Sequence, residues 1–195
     1  MKLVEGPIDL EAAVRITAEG FVQPVTSELE TDVANHLRGD IAYRMTEGDV
    51  DVGFAVFSIF EQVIYLEGVQ ISAGCQGRGY ARAAILAARA HTGAPFLGLR
   101  TQNPRMWATG SHLCPDWLPH HIETEASEEL LLAIKMIERA KGYPFPLQRG
   151  CYGTALYGEK PVHRDTVVQR WWDSICNFDR GDAVVCVGRF DLAPR

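Results

Sequence analysis

The stretch from Val63 to His91, VIYLEGVQISAGCQGRGYARAAILAARAH, constrains the chain more than any other. Val63, Ile64, Leu66, Val69 and Ile71 are apolar and mostly β-branched, which suits a strand buried on both faces. Gly74, Gly77 and Gly79 punctuate a turn in which backbone amides converge without Cβ obstruction. Tyr80 to Ala90 follows as a run of good helix formers, with His91 and Gly93 as an end signal. A helix that begins on such a turn offers unpaired N–H groups and the positive end of its dipole. That is an anion site, and phosphate is its usual guest.

What the turn lacks narrows the guest. Gly74 and Gly79 satisfy the spacing of a P-loop, but Tyr80-Ala81 stand where Lys-Ser/Thr would be needed. Without the lysine and the magnesium-binding hydroxyl, nucleoside triphosphate chemistry is disfavoured. Gly77 and Gly79 open a GxGxxG, but Arg82 holds the third glycine position and Arg100 lies near where a ribose-binding acid belongs. A dinucleotide fold is disfavoured too.

Gln76-x-x-Gly79-x-Ala81 reads as Q/R-x-x-G-x-G/A, and here the sequence resembles the GNAT acetyltransferase superfamily. A second element agrees: Phe96 to Thr101 reads as the next strand, and Asn103 stands where the family often carries a cofactor-contacting asparagine, with Met106 in the helix after it. The resemblance is carried by residues 40–107 and extends beyond them only by arrangement. It implies a single α+β or α/β domain over residues 1–195 whose part 108–195 is atypical: a mixed, mostly antiparallel sheet flanked by helices, splayed between its central strands to admit acyl-CoA.

The implied activity is transfer of an acetyl group from acetyl-CoA to a primary amine by direct attack on the thioester. Acetyl-CoA is then a co-substrate, no metal is needed, and a homodimer is compatible. A small-molecule acceptor is favoured because the extra C-terminal material can enclose a pocket. The resemblance places pantetheine and oxyanion contacts on the backbone of Val69, Ile71 and Ser72. It places the pyrophosphate on the loop of Gln76, Gly77, Arg78, Gly79, Tyr80 and Ala81, with Asn103 as a further cofactor contact. Arg78 and Arg82 fit phosphate binding or a solvated helix start equally well.

Side-chain chemistry is less determined. By period-two alternation Glu67 shares a strand face with Tyr65, Val69 and Ile71. A carboxylate in so apolar a strand needs a purpose or a partner: a general base for the amine, or a solvent-facing glutamate where the strand edge opens. Many relatives carry a tyrosine about seven residues after the asparagine to protonate the leaving thiolate; Gly110 stands there. Tyr152 and Tyr157 are the candidate replacements, with Ser111 and His112 beside them. The missing acid also admits another class of function, a catalytically inactive acyl-CoA-binding sensor.

Composition adds exclusions. A formal net charge of −6 argues against a binder of nucleic-acid phosphates. No stretch approaches the ~18 uninterrupted apolar residues of a membrane span. No signal pattern follows Lys2, and five cysteines without a CxxC pair read as reduced thiols, so a cytoplasmic protein is expected. Cys114 and Cys151 have no legible base nearby and read as structural thiols. His112, Cys114, His120 and His121 match no common zinc spacing.

The remaining pattern predicts a short strand over Lys2 to Ile8, a helix capped by Asp9, and a helix capped by Thr26 or Ser27. Strands follow at Ile41 to Thr46 and Val50 to Phe60. Trp107 to His121 shows no clean periodicity. Ser127 caps a helix reaching Lys141, and Tyr143 to Leu147 is a loop. Cys151 to Tyr157 reads as a strand, and Asp165 caps a helix bearing Val168, Trp171, Trp172, Ile175 and Phe178. Ala183 to Val187 is a closing buried strand. Trp171 and Trp172 cannot both face one core.

Overall fold

The structure, a computed structural model, describes residues 2–122 and 124–191. Its eight strands form a mixed sheet flanked by six α-helices. The chain divides into two compact units, Met1–Ile59 with Leu66–Gly93, and Phe60–Tyr65 with Ala94–Arg195.

The first unit begins with β1 (Lys2–Glu5), which stops short of Ile8 where Gly6 turns the backbone to φ +138° ahead of Pro7. Helix α1 (Leu10–Phe21) starts at Asp9, whose carboxylate accepts from Ala12 N at 3.1 Å. Helix α2 (Ser27–His36) starts at Thr26, whose hydroxyl accepts from Leu29 N. Between the two possible caps the structure selects threonine. Strands β2 (Ile41–Glu47) and β3 (Val50–Phe60) form an antiparallel hairpin around Gly48 at φ +62°, and β1 pairs along β2. Ala13, Ile16, Leu29 and Val33 of the two helices meet Phe54 and Val56 of β3 in one buried cluster. Strand β4 (Val63–Ile71) is buried through Leu66 and half-exposed from Glu67 onward. A single 3₁₀ turn (Ala73–Cys75) leads to the glycines and then to α3 (Tyr80–Thr92), closed by Gly93 at φ +69°.

In the second unit, β5 (Phe96–Thr101) runs into α4 (Pro104–Leu113), followed by β6 (Asp116–Leu118). These two elements correct the reading of 107–121 as aperiodic. Pro104, Trp107, Gly110 and Leu113 form the buried stripe of α4 at a spacing of three, and proline and glycine do not register as apolar in a pattern. Helix α5 (Glu128–Lys141), capped by Ser127, packs Leu130, Ala133, Ile134 and Ile137 onto Val63, Tyr65, Phe96, Val185 and Val187. Strand β8 (Ala183–Arg189) pairs antiparallel with β5, with β6 and with the two-residue β7 (Leu147–Gln148), which lies at the end of the expected loop.

A second correction concerns Cys151 to Tyr157, which form no strand. Gly150 and Gly153 hold left-handed φ values of +60° and +71°, and the segment bonds to loop partners instead of a ladder. Tyr152 N donates to Gly181 O, Leu156 N to Gln102 Oε1, and Gly150 N to Asp182 Oδ1. Gly181 is required there, because a Cβ would lie 2.5 Å from Thr154 O. Helix α6 (Thr166–Ile175) is capped by Asp165 and ends before Phe178. Trp172 is fully buried while Trp171 stays half-exposed against Trp107, so the two tryptophans divide as the helical period demands.

Candidate functional sites: a glycine turn and a tyrosine loop

In the first unit, Gly77 and Gly79 adopt φ +76° and +83°, with no atom within 4 Å of a hypothetical Cβ. Glycine is needed at both for the left-handed backbone and not for space. Gly74 lacks that constraint. Helix α3 then starts without a side-chain cap and with no acid in its first turn. The other five α-helices each begin on an Asp, Asn, Ser or Thr side chain that satisfies an early N–H. The first-turn amides of α3, at Tyr80, Ala81 and Arg82, therefore keep the donor capacity that an anion can use.

The side chains around this turn are committed to holding it. Arg78 Nη1 donates to Glu47 Oε1 at 2.7 Å and its Nη2 to Gly74 O at 2.8 Å. Tyr80, fully buried, donates its hydroxyl to the same Glu47 oxygen at 2.6 Å. That hydrogen bond pushes the Tyr80 phenol up to about 12 and holds Glu47 below the usual carboxylate range. Gln76 Nε2 turns back to Ile71 O at 3.1 Å. Of the residues placed on the loop by resemblance, Gln76, Arg78 and Tyr80 thus use their side chains for architecture, while Gly77, Gly79 and Ala81 contribute backbone. Glu47, lying between the two strands expected at Ile41 to Thr46 and Val50 to Phe60, is the anchor that nothing in the sequence signalled.

On β4, Val69 and Ile71 lie in the half-exposed portion with Glu67. Ser72 N donates to Val52 O, and Ser72 O accepts from Cys75 N. Its backbone is already engaged, which leaves its side chain as the available group.

The second unit assembles a cluster at the carboxyl end of β5. Asn103 caps α4, its Oδ1 accepting from Arg105 N at 2.9 Å, while its own N–H donates to Thr101 Oγ1 at 2.8 Å. The Asn103 amide and the Thr101 hydroxyl both hydrogen-bond the Tyr157 hydroxyl. Burial nonetheless dominates and drives that phenol far above its ordinary range, so Tyr157 is a protonated donor at neutral pH. Tyr152 is placed differently: its ring lies 5.2 Å from the Arg100 guanidinium carbon. Gln102, unnoticed in the sequence, is buried and braces the loop, accepting from Leu156 N and from Trp172 Nε1 through its backbone carbonyl.

Gly110, standing where the resemblance would place a tyrosine, has no room for a side chain. A Cβ there would sit 2.1 Å from the Trp117 ring, so the indole fills the space. Ser111 and His112 bond back to the Ala108 carbonyl on their own helix. All five cysteines are free, and burial raises the Cys151 thiol, the opposite of an activated nucleophile. Among the described residues no group of three or more His, Cys, Asp or Glu side chains could hold a metal ion, and no helix is long and apolar enough to cross a membrane.

Neither a family model nor a curated protein sequence matches the chain. Solved structures do. The ribosomal-protein-S18-alanine N-acetyltransferase of Escherichia coli aligns over 100% of this chain and 97% of its own, with a TM-score of 0.50 at 15% identity. The PaiA N-acetyltransferase of Thermoplasma acidophilum, solved with coenzyme A, aligns over 63% of this chain and 94% of its own (TM-score 0.48, 11% identity). An acetyltransferase of Thermus thermophilus aligns over 57% and 85% (TM-score 0.47, 17% identity). The Escherichia coli comparison establishes the architecture: this chain has the GNAT acetyltransferase fold.

Proposed function

We propose that the protein is an acetyl-CoA-dependent N-acetyltransferase acting on the primary amine of a small molecule. The observation that carries this reading is the left-handed Gly77/Gly79 turn feeding α3, the one α-helix among the described residues whose start has no side-chain cap. Such a start spends its free N–H groups on a ligand anion, and the pyrophosphate of acetyl-CoA fits that role.

In the proposed reaction the neutral amine attacks the thioester carbonyl, a C–N bond forms, and the C–S bond breaks to give the acetamide and CoA thiol. Glu67, directly or through water, takes the proton lost by the amine. Backbone donors near Val69 and Ile71 support the developing oxyanion. Within the second unit, the Tyr157 hydroxyl stays protonated and is held by Asn103 and Thr101. The Tyr152 ring, in the same unit, is occupied with Arg100.

A thiol-release assay over an amine library tests the proposal. Turnover with at least one amine, reduced roughly 100-fold or more in Glu67→Gln with acetyl-CoA binding retained, is the expected result. Binding without turnover for every amine would favour the acyl-CoA sensor instead.

A further inference from the structure

Glu47 poses an electrostatic contradiction in the first unit. It ends β2, and its Oε1 accepts from Arg78 Nη1 at 2.7 Å and from the Tyr80 hydroxyl at 2.6 Å. Both partners belong to the glycine turn and the start of α3, the stretch whose free N–H groups suit an anion. An acid one side chain away from an anion site opposes binding by charge alone. It also occupies the guanidinium that a phosphate would otherwise be offered.

The geometry resolves the contradiction. Gly74, Gly77 and Gly79 leave the turn with much backbone entropy to lose when it is ordered. Inside the turn, Gln76 Nε2 donates to Ile71 O at 3.1 Å and Arg78 Nη2 to Gly74 O at 2.8 Å. Glu47 supplies a tie from outside it, holding partners 31 and 33 residues further along the chain. Tyr80 is only 1% exposed, so fixing its hydroxyl fixes where α3 begins. The Arg78–Glu47 pair, with side chains 54% and 40% exposed, adds little to global stability. Its consequence is positional. Arg78 spans Glu47 Oε1 and Gly74 O with two nitrogens of one rigid fork, a geometry that the compact ammonium of lysine does not reproduce.

We propose that Glu47 is a positioning residue of the pyrophosphate site: through Tyr80 and Arg78 it holds the 74–80 turn in its binding form, so that CoA meets preset backbone N–H groups and not the Arg78 side chain. Ordering the turn before the ligand arrives removes that cost from the affinity. The inference rests on the CoA reading of the turn, and every residue it uses lies within the first unit.

The test combines calorimetric titration of the full-length protein with CoA and thiol-release kinetics on two thioesters, acetyl-CoA and S-acetylpantetheine, which lacks the pyrophosphate. Glu47→Ala should weaken CoA binding roughly 10- to 150-fold, the range for losing a hydrogen bond to a charged group. Glu47→Gln, which keeps an acceptor oxygen, should weaken it less, and Tyr80→Phe and Arg78→Lys should act in the same direction. With acetyl-CoA the loss should fall on KM and leave kcat unchanged. S-acetylpantetheine should turn over equally well in Glu47→Ala and the original protein, which a damaged fold would not allow. Charge alone predicts the reverse: Glu47→Ala would free Arg78 and tighten CoA, and Arg78→Lys would keep the affinity. Either of those results, or an equal loss with S-acetylpantetheine, would overturn the proposal. CoA binding that weakens in Glu47→Ala, without thiol release to any amine, would leave the positioning role standing and remove the acetyl-transfer reading. No CoA binding by the original protein would remove both.

Discussion

Gly110→Ala should destabilise the protein, although it replaces a helical glycine with the best helix former. In an open helix position that change gains about 0.8–1.0 kcal/mol. Here the added Cβ would lie 2.1, 2.3 and 2.7 Å from three atoms of the Trp117 indole. Ordinary carbon contacts need about 3.5–4 Å, so ring or helix must move by more than an ångström. The indole has no retreat, because a Cβ at Gly188 would lie 2.4 Å from its other edge. Trp117 is held between two glycines, and overpacking of this kind costs about 1–3 kcal/mol or more. Taking the upper end, the net loss is about 2 kcal/mol, which for a chain of this size lowers Tm by roughly 4–8 °C. Thermal unfolding of Gly110→Ala, Trp117→Leu and the double variant measures it. The double should lose at least about 1 kcal/mol less than the sum of the singles. A Gly110→Ala protein more stable than the original would refute the reasoning.

Two further outcomes follow from the anchoring groups. Tyr80 has a folded-state pKa of about 12 against an unfolded value near 10, so its contribution is complete below pH ~10 and is lost as pH rises towards 12. Tyr80→Phe should therefore unfold at a temperature that varies less over that window. Asp182, held down to about 2 chiefly by Arg180, contributes about 2 kcal/mol above pH ~4 that disappears as pH falls through 2. Denaturant titrations of Asp182→Asn should show a deficit of that size at about pH 7 and little at about pH 2.

Elements with local signals were legible in the sequence: β4 from its apolar run, α3 from its glycine start, and α1, α5 and α6 from Asp9, Ser127 and Asp165. The GNAT fold followed from Gln76, Gly79 and Ala81 in their strand–turn–helix setting, and the Escherichia coli comparison agrees. What was hidden depends on distant partners. Helix α4 escaped because its buried stripe includes Pro104 and Gly110, residues whose burial depends on what packs against them. Cys151 to Tyr157 reads as a strand yet folds as a loop, because the bonds that shape this segment come from Gln102, Gly181 and Asp182. Glu47 gave no signal, since nothing local marks it as the partner of Tyr80 and Arg78.

Calorimetric titration with acetyl-CoA, CoA, ATP and NAD tests the central claim most directly, with Gly79→Val as the control. Gly79 has open space at its Cβ but φ +83°, so a β-branched side chain is excluded by backbone conformation alone. Saturable binding of acetyl-CoA and CoA only, abolished in a Gly79→Val protein that still unfolds cooperatively, is the predicted result. Absence of CoA binding in the unmodified protein, or full binding in Gly79→Val, would contradict the account.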